Sequence, residues 1–584
     1  MILVNNLKSE FHIVSNVNAS ECERYSAMEL AKYIYASTGC SIPYFSDKCA
    51  KRSKEILVGR DARGIDKKLD FSNLSDEGFI IKEIDEDLVI AGKTPRGTMY
   101  GVYHLLELII NFRCFTSTCE RFDKKDQIIL ENIDIRFDFP FEYREAYWTD
   151  AWKTSFASKN ALNSNLADLS TRHGGKTKWY NFHHSFSDLI SPNEYFDTHP
   201  EYFSEIDGKR IKEHTELCLS NEDVFKLALA KVKKWIKENP ECKVFSVAQD
   251  EWMGHFTRMA CECENCKKID EENGSQAGSI ITFVNRIANE IKKEYPDKLI
   301  HTFAYQYSRK CPSLVKPASN VIVRLCNIEC SWSKPLLESA KLNPNGRDAK
   351  FLNDLISWGK ITDRLYIWDY AVNYRNYLLP FPNLRSMAQN IKLYRDYNVK
   401  GILMEGNFSL GGKGYMDELK AYITARLLKN PDYDLNYLIK EFCDGYYEEA
   451  SPYIQEYINL WEDNISSLDL WLYDDSDHPL FTDELLEKSG KILNQALKAV
   501  KDKKEIFKRV NQVFLTYYYT KITRLPLSTP YRNEMIDDFI SQVRSQGITE
   551  LFERTALDFS IEVMKKSQYC KDRDNWYSLY YIMK

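Results

Sequence analysis

Two adjacent carboxylates, Asp250 and Glu251, directly follow a short apolar run and could perform acid–base chemistry. The run, KVFSVAQ over 243–249, contains Val and Phe at the density of a buried strand. Ionised carboxylates are costly inside a strand, whereas α/β enzymes hold reactive groups at the carboxyl ends of parallel strands. The pair is therefore the first candidate for catalysis. The simpler alternatives are a solvated strand end or an Asp that caps the next helix.

An adjacent Asp–Glu pair suits one particular reaction. If Glu251 is desolvated, its pKa rises and it can act as a general acid near neutral pH. Asp250 can then stay ionised and accept a hydrogen bond from a substrate N–H. A 2-acetamido sugar offers such an N–H, and its own carbonyl oxygen can attack the anomeric carbon. This substrate-assisted route needs no carboxylate nucleophile from the enzyme.

Other polar and aromatic residues lie at the ends of further predicted strands. If these strands form a barrel, their carboxyl ends meet at one rim, where histidines can bind hydroxyl groups and aromatic rings can line a sugar face. The alternative for each residue is an ordinary structural or core position. The candidate substrate-binding residues are His183, His184, Trp252, Tyr305, Trp368, Asp369, Tyr370 and Glu405.

Three cysteines, Cys261, Cys263 and Cys266, follow the acidic pair in the stretch CECENC. They could hold a zinc ion if a fourth ligand, His255 or another Cys, lies nearby. We expect a structural staple, by metal or by disulfide, rather than a catalytic metal, because no HExxH pattern is present. No cofactor is expected.

Composition narrows the functional class. The net charge is −6 and no long basic block is present, which argues against nucleic acid as a partner. No apolar run approaches the roughly 18 residues needed to cross a bilayer, so no membrane association is expected. Fifteen scattered cysteines favour a reducing compartment. No signal-peptide pattern opens the chain, so we expect a cytoplasmic protein, or a secreted or periplasmic one if a signal was removed.

The predicted strands and helices that would position these residues indicate a chain of three domains with an α/β fold. Residues 1–136 predict a small α+β domain, in which a helix over 21–38 and strands near 55–59, 78–82 and 87–92 precede a helix over 100–110. Residues 413–584 predict a helical domain. Between them, residues 137–412 predict a (β/α)₈ TIM barrel, since eight strand-like runs mostly alternate with helical stretches. These runs are 144–148, 160–166, 179–184, 243–249, 299–305, 320–326, 365–370 and 400–405.

The central residues also resemble a known family. The sequence is similar to the group of domains of unknown function numbered 4838, part of which is classified as glycoside hydrolase family 163. The resemblance rests on HPEYFSEIDGKR (199–210), LCLSN (217–221), QDEW with CECENC, GSIITFVNRIANEI (278–291), FAYQYSRKCPSLVKPASNVIVRLCNI (303–328) and LKAYITARLLKNPDYDLNYLIKEFCDGYY (419–447).

The N-terminal stretch IAGKTPRGTMYGVYHLLE (90–107) resembles the small domain that precedes the barrel in family 20 hexosaminidases and α-glucuronidases. Family 20 enzymes carry an Asp–Glu pair after the fourth barrel strand. The resemblance therefore implies that Asp250 orients the acetamido group and that Glu251 is the acid/base. Family 163 further implies an endo-β-N-acetylglucosaminidase acting on N-glycans.

The sequence thus predicts a glycoside hydrolase that cleaves β-linked N-acetylglucosamine with retention, by substrate assistance. One alternative is another glycosidase, α-glucuronidase-like or an exo-hexosaminidase, whose two carboxylates are separated, with Glu251 opposed by Asp369 or Glu405. A second alternative is a non-catalytic glycan-binding protein. A glycan is the expected partner in each case.

Overall fold

The computed structural model describes residues 1–251 and 260–566. The chain divides into two compact units. Unit A comprises Met1–Lys176, Ala371–Ala388 and the chain from Glu405 onward, and unit B comprises Thr177–Tyr370 and Gln389–Met404. In the described residues, no helix is long and apolar enough to cross a membrane.

The strands and helices follow in chain order. The strands are β1 Ile2–Asn5, β2 Phe11–Ser15, β3 Tyr44–Ser46, β4 Lys54–Val58, β5 Phe79–Ile84, β6 Asp87–Gly92, β7 Arg113–Thr116, β8 Cys119–Arg121, β9 Gln127–Ile129, β10 Asp134–Phe137, β11 Tyr143–Tyr147, β12 Trp179–Tyr180, β13 Glu205–Ile206, β14 Lys209–Arg210, β15 Val244–Ser246, β16 Leu299–Ala304, β17 Val321–Cys326, β18 Leu365–Tyr370 and β19 Val399–Glu405. The helices are α1 Glu21–Thr38, α2 Pro95–Ile110, α3 Thr154–Lys159, α4 Phe186–Leu189, α5 Pro192–Tyr195, α6 Glu222–Glu238, α7 Glu264–Asn273, α8 Ala277–Glu294, α9 Leu336–Leu342, α10 Arg347–Ile361, α11 Leu384–Asp396, α12 Asp417–Lys429, α13 Leu435–Tyr446, α14 Ser451–Ile465, α15 Asp483–Ala499, α16 Lys504–Arg524, α17 Arg532–Ser545 and α18 Leu557–Lys566.

The N-terminal part of unit A is a mixed sheet with the strand order β10-β5-β6-β4-β2-β3. The predicted helix over 21–38 is confirmed as α1, and the predicted strands are confirmed as β4, β5 and β6. α1 begins at a capping box in which Ser20 and Glu23 satisfy each other's backbone N–H groups. It ends at Gly39, whose φ of 73° is the left-handed conformation that glycine adopts without strain.

Unit B contains a parallel sheet with the strand order β19-β18-β17-β16-β15-β12. The predicted strands from 243, 299, 320, 365 and 400 are confirmed, with β18 matching its predicted range. β12 is shorter than predicted and ends at Tyr180, ahead of His183 and His184. Every residue of β15, β16 and β17 is buried, as expected for the central strands of a parallel sheet.

The predicted second strand, over 160–166, was wrong, because this stretch is irregular. Ala161 has a φ of 56°, which interrupts an extended chain. Its carbonyl accepts from Arg144 Nε at 2.7 Å, and Asn163 Oδ1 accepts from Arg144 N at 2.9 Å. Side chains and single backbone hydrogen bonds, such as that from Leu162 N to Ala157 O, therefore satisfy this backbone in place of a strand ladder. The full eight-stranded barrel stays a prediction.

Helices α12 to α18 follow one another in the C-terminal part of unit A, and the bounds 413–584 of a helical domain stay a prediction. Asp434 is the N-cap of α13, and its side chain accepts from Tyr437 N. The last described helix, α18, starts at Leu557, after an isolated β-bridge between Phe552 and Thr555.

A buried ion cluster in unit A surrounds Glu77, which is 5% exposed. Its carboxylate accepts from Arg144 and from Asn163 Nδ2, and lies 2.5 Å from Arg96 Nη2. Burial alone would raise the pKa of Glu77, but Arg144 and Arg96 outweigh it and lower the pKa to about 2. The carboxylate is therefore ionised at neutral pH and balances two buried guanidinium groups.

We expect Glu77→Gln to destabilise the protein by about 3 kcal/mol or more, since removing one member of a buried ion cluster leaves uncompensated charge. Urea denaturation at pH 7.5 measures the change. Glu10→Gln is the control, because Glu10 pairs with Lys54 at the surface and its side chain is 75% exposed. An equally small loss of unfolding free energy in the two variants would contradict the assignment of Glu77 to a buried ion cluster.

Candidate functional site

Asp250 lies four residues beyond the end of β15, where the backbone leaves the sheet. It is 6% exposed. Its Oδ2 accepts a 2.8 Å hydrogen bond from Ser187 N in the first turn of α4, and its own N–H donates to Glu216 Oε2 at 3.1 Å. Asp250 is thus held on both its side chain and its backbone by segments distant in sequence.

Glu216 is a site residue that the sequence analysis missed. It is 2% exposed, and its pKa is well above the usual range because of burial and the neighbouring Asp250 carboxyl. Glu216 therefore carries a proton when Asp250 is ionised. Its position directly before LCLSN, as an acid in an apolar segment, was the signal that could have revealed it.

The relative burial of the acidic pair is opposite to the expectation from sequence. Burial raises the pKa of Asp250 to about 6, despite the hydrogen bond from Ser187 that favours the ionised form. The Glu251 side chain is instead 34% exposed. The difference arises because Asp250 packs onto the first turn of α4, a contact that no local sequence pattern shows.

Glu251 is held from two sides. The Tyr305 hydroxyl donates to Glu251 Oε1 at 2.5 Å, and His184 Nε2 lies 3.6 Å from Oε2. His184 Nδ1 lies 2.6 Å from the Gln249 carbonyl oxygen, which can only accept, so Nδ1 carries a proton. Burial lowers the pKa of His184. A neutral ring then presents its Nε2 lone pair to Glu251 Oε2.

Gln249 fixes the tyrosine side of this arrangement. Its Nε2 donates to the Tyr305 carbonyl at 3.2 Å, and its Oε1 accepts from the Ser308 hydroxyl. The residue before the acidic pair therefore ties the turn after β16 to the end of β15. This double contact sets the position from which Tyr305 reaches Glu251.

Aromatic side chains line the same strand ends. Phe303, Tyr305 and Ala248 form one apolar cluster with the partly exposed Trp368 packed against it. The ring centroids of Phe303 and Trp368 are 5.9 Å apart, and Arg324 lies 5.3 Å from the Trp368 ring. The predicted residues His184 and Tyr305 thus lie beside Glu251, and Trp368 packs against the same group of rings through Phe303.

Asp369 is buried among hydrogen-bond donors, and the buried Tyr370 beside it has its ring centroid 6.0 Å from that of Trp332. Asp369 is 1% exposed and accepts from Asn327, Tyr394, Trp332 and the Tyr370 backbone. Burial raises the pKa of Asp369, and these four donors oppose that effect. A carboxyl group so fully engaged is a poor general base or nucleophile.

The remaining predicted residues are placed as follows. His183 is exposed, with its ring centroid 6.2 Å from that of His184. Glu405 belongs to unit A, where its carbonyl oxygen accepts from the Tyr374 hydroxyl at 2.8 Å. Trp252 lies outside the described residues, as does the candidate ligand His255. Cys261, Cys263 and Cys266 do cluster, together with Cys218.

We expect Asp250→Asn to stabilise the protein increasingly as pH rises. The folded pKa of about 6 lies above the unfolded value near 3.9, so ionisation costs folding stability between about pH 4 and 6. The variant lacks this cost, and its advantage over the wild type should grow by about 2–3 kcal/mol between pH 4 and 7.5. Urea midpoints at both pH values measure the difference.

Asp270→Asn is a matched control for this experiment. Asp270 is 8% exposed, and burial raises its pKa to about 6 as well. Its variant should show the same pH pattern of stability while leaving any turnover intact. A stability difference for Asp250→Asn that does not change with pH would contradict the assigned ionisation.

Comparison with known proteins identifies related sequences. Residues 114–459 match the family described as Domain of unknown function (DUF4838), and residues 4–105 match Glycosyl hydrolase family 67 N-terminus. These matches confirm the resemblance to the first group and to an α-glucuronidase-type N-terminal domain, and they make the chain glycosidase-like in domain content. No curated protein matches.

Solved structures with similar coordinates include one described as "Structure of CpGH84B", with 12% identity, 95% of this chain and 96% of that chain covered, and a TM-score of 0.47. Another is described as a GH138 enzyme targeting pectin rhamnogalacturonan II, with 10% identity, 98% of this chain and 78% of that chain covered, and a TM-score of 0.45. The DUF4838 match spans more than half of the sequence, so the chain belongs to the DUF4838 family.

Proposed function

We propose that the protein is a glycoside hydrolase that cleaves β-linked N-acetylglucosamine, with Glu251 as the general acid/base. The observation that carries the proposal is the environment of Glu251, a partly exposed carboxyl group held by Tyr305 and facing His184. The glycosyl hydrolase family 67 N-terminal match supports the broader class of activity. In this proposal the strands of unit B belong to a (β/α)₈ barrel over 137–412.

The two oxygens of Glu251 have different tasks in the first step. Oε1 accepts from Tyr305, which leaves Oε2 to carry the proton that passes to the leaving glycosidic oxygen. His184 Nε2 lies 3.6 Å from Oε2, so the neutral ring can accept a hydrogen bond from this proton when the two atoms draw closer, while the proton itself stays on Glu251. After donation, the Glu251 carboxylate removes a proton from the incoming water.

Asp250 acts on the substrate amide in this scheme. With Oδ2 bonded to Ser187 N, Oδ1 is the oxygen we assign to the acetamido N–H. The amide carbonyl oxygen then bonds to the anomeric carbon as the bond to the leaving oxygen breaks. Water later attacks the same carbon and releases the amide, with overall retention. A hydrogen bond in this buried setting is stronger than one in water.

The substrate class follows from the same residues. The partly exposed Trp368, packed against the buried Phe303 and Tyr305, offers an apolar surface to the face of a sugar ring, and the exposed His183 can bind hydroxyl groups. The family 163 resemblance supports an N-glycan as the substrate and endo cleavage within it. Engagement of Asp369 by four donors argues against the alternative in which it opposes Glu251.

We expect Glu251→Gln to lower turnover of N-glycans at least 100-fold, since it removes the transferable proton while keeping the side-chain volume. Digestion of a glycan array with mass-spectrometric readout measures both turnover and the bond that is cut. The control is Glu329→Gln, whose side chain is 40% exposed and pairs with Arg309 at another strand end. Full turnover by Glu251→Gln would overturn the assignment.

A thiazoline mimic of the cyclised acetamido intermediate should inhibit the enzyme and bind far more tightly than the parent sugar, because it resembles the state that Asp250 stabilises. Titration calorimetry measures the affinity, and Asp250→Asn should weaken it. Undetectable binding, with turnover intact, would favour the mechanism with separated carboxylates. Glycan binding without any turnover would favour the non-catalytic alternative.

A further inference from the structure

Four cysteine sulfurs meet at one point in unit B. Cys218 completes the set begun by Cys261, Cys263 and Cys266, and the four Sγ atoms all lie within 4.8 Å of one another. Cys218 Sγ is 3.6 Å from Cys263 Sγ and 4.0 Å from Cys266 Sγ. The fourth member comes from LCLSN, 45 residues before Cys263, so no spacing pattern in CECENC could reveal it.

These separations fit a metal site rather than disulfides. A disulfide places its sulfurs about 2.05 Å apart. Four thiolates bound tetrahedrally to zinc at about 2.3 Å lie about 3.8 Å apart. The measured 3.6 and 4.0 Å bracket this value, and all four residues are free thiols.

The surroundings of the sulfurs favour thiolates. Glu205 N donates to Cys261 Sγ at 3.3 Å, and Arg210 Nη1 donates to the same sulfur at 3.5 Å. Such N–H···S bonds are the outer contacts that orient and stabilise metal-bound thiolates. The Arg210 guanidinium also offsets part of the excess negative charge that four thiolates leave around a divalent ion.

Helix α7 contributes two of the ligands at its start. Cys263 is the N-cap and Cys266 lies in the first turn, where the helix dipole favours negative charge. Cys218 and Cys266 are almost fully buried, at 3% and 1% exposure. The sulfurs thus converge from two chain segments onto a point shielded from water.

We propose that Cys218, Cys261, Cys263 and Cys266 bind one zinc ion in a closed, structural site. All four positions are protein thiolates, so the ion holds segments together and offers no open position for a substrate. Its effect reaches the acidic pair through the backbone, because Cys218 lies two residues after Glu216, which accepts from Asp250 N. The site is a positioning device, and its existence does not depend on the proposed glycosidase activity.

Metal analysis of the full-length protein tests this inference. After growth with zinc and purification without chelator, mass spectrometry should find one zinc per chain. A mercurial reagent added in excess over all fifteen thiols should release that zinc, as followed with a chromogenic chelator. Replacement by cobalt should give the intense thiolate-to-metal absorption of a tetrahedral sulfur site.

Cys218→Ser separates the four-ligand site from a three-cysteine one. It should lose at least 90% of the bound zinc, whereas Cys242→Ser, at a buried cysteine of 6% exposure outside the cluster, should keep it. Full zinc retention by Cys218→Ser would overturn the assignment, as would iron in place of zinc, or a folded wild-type protein that carries no metal after growth with zinc. If Cys218→Ser does not fold, the mercurial titration of the wild type still decides.

Discussion

The candidate site depends on one contact, the hydrogen bond from Asp250 N to Glu216 Oε2. It brings two carboxyl groups together in a buried place where both cannot be ionised without a large cost. Glu216, with a pKa far above its usual range, takes the proton, and Asp250 titrates near pH 6. The neutral acid thereby allows its neighbour to hold charge at physiological pH. Environments that separate the pKa values of nearby acids are a recurring property of catalytic sites.

Further hydrogen bonds position the residues around this contact. Gln249 connects the acidic pair to Tyr305 and Ser308, and Tyr305 in turn holds Glu251. Each of these residues is placed by a strand of the parallel sheet or by the turn that follows it. Because the strands are rigid, they can hold the carboxyl groups in buried positions where the ionised form of each group is destabilised.

Local patterns in the sequence predicted much of this arrangement. Helical spacing predicted α1 with its bounds, and short apolar runs predicted β6 and β18 with theirs, since each is a strongly patterned segment. The position of Asp250 and Glu251 at a strand end followed from the same reasoning. The failure at 160–166 arose where side chains of Arg144 and Asn163 replace strand pairing.

What sequence patterns could not predict were contacts between distant segments. Glu216 and Cys218 join the site only because the chain before α6 returns beside β15 and α7. The burial order of Asp250 and Glu251 was likewise set by the docking of α4, which determines which carboxyl group loses water. Burial of a given side chain is a property of the packed fold, whereas a spacing rule reads only its neighbours in sequence.

A metal ion at the cysteine cluster would also act as a reversible cross-link in the chain. A metal bridge between Cys218 and Cys263 closes a loop that contains α6 and β15, and the two ends of the loop are 45 positions apart in sequence. By the loop-entropy relation for cross-links, such a closure restricts the unfolded chain by about 4 kcal/mol. Unlike a disulfide, this link forms in a reducing compartment and opens when a chelator competes for the ion. The zinc supply would then determine whether newly made chains hold Glu216 and Asp250 in the positions described above.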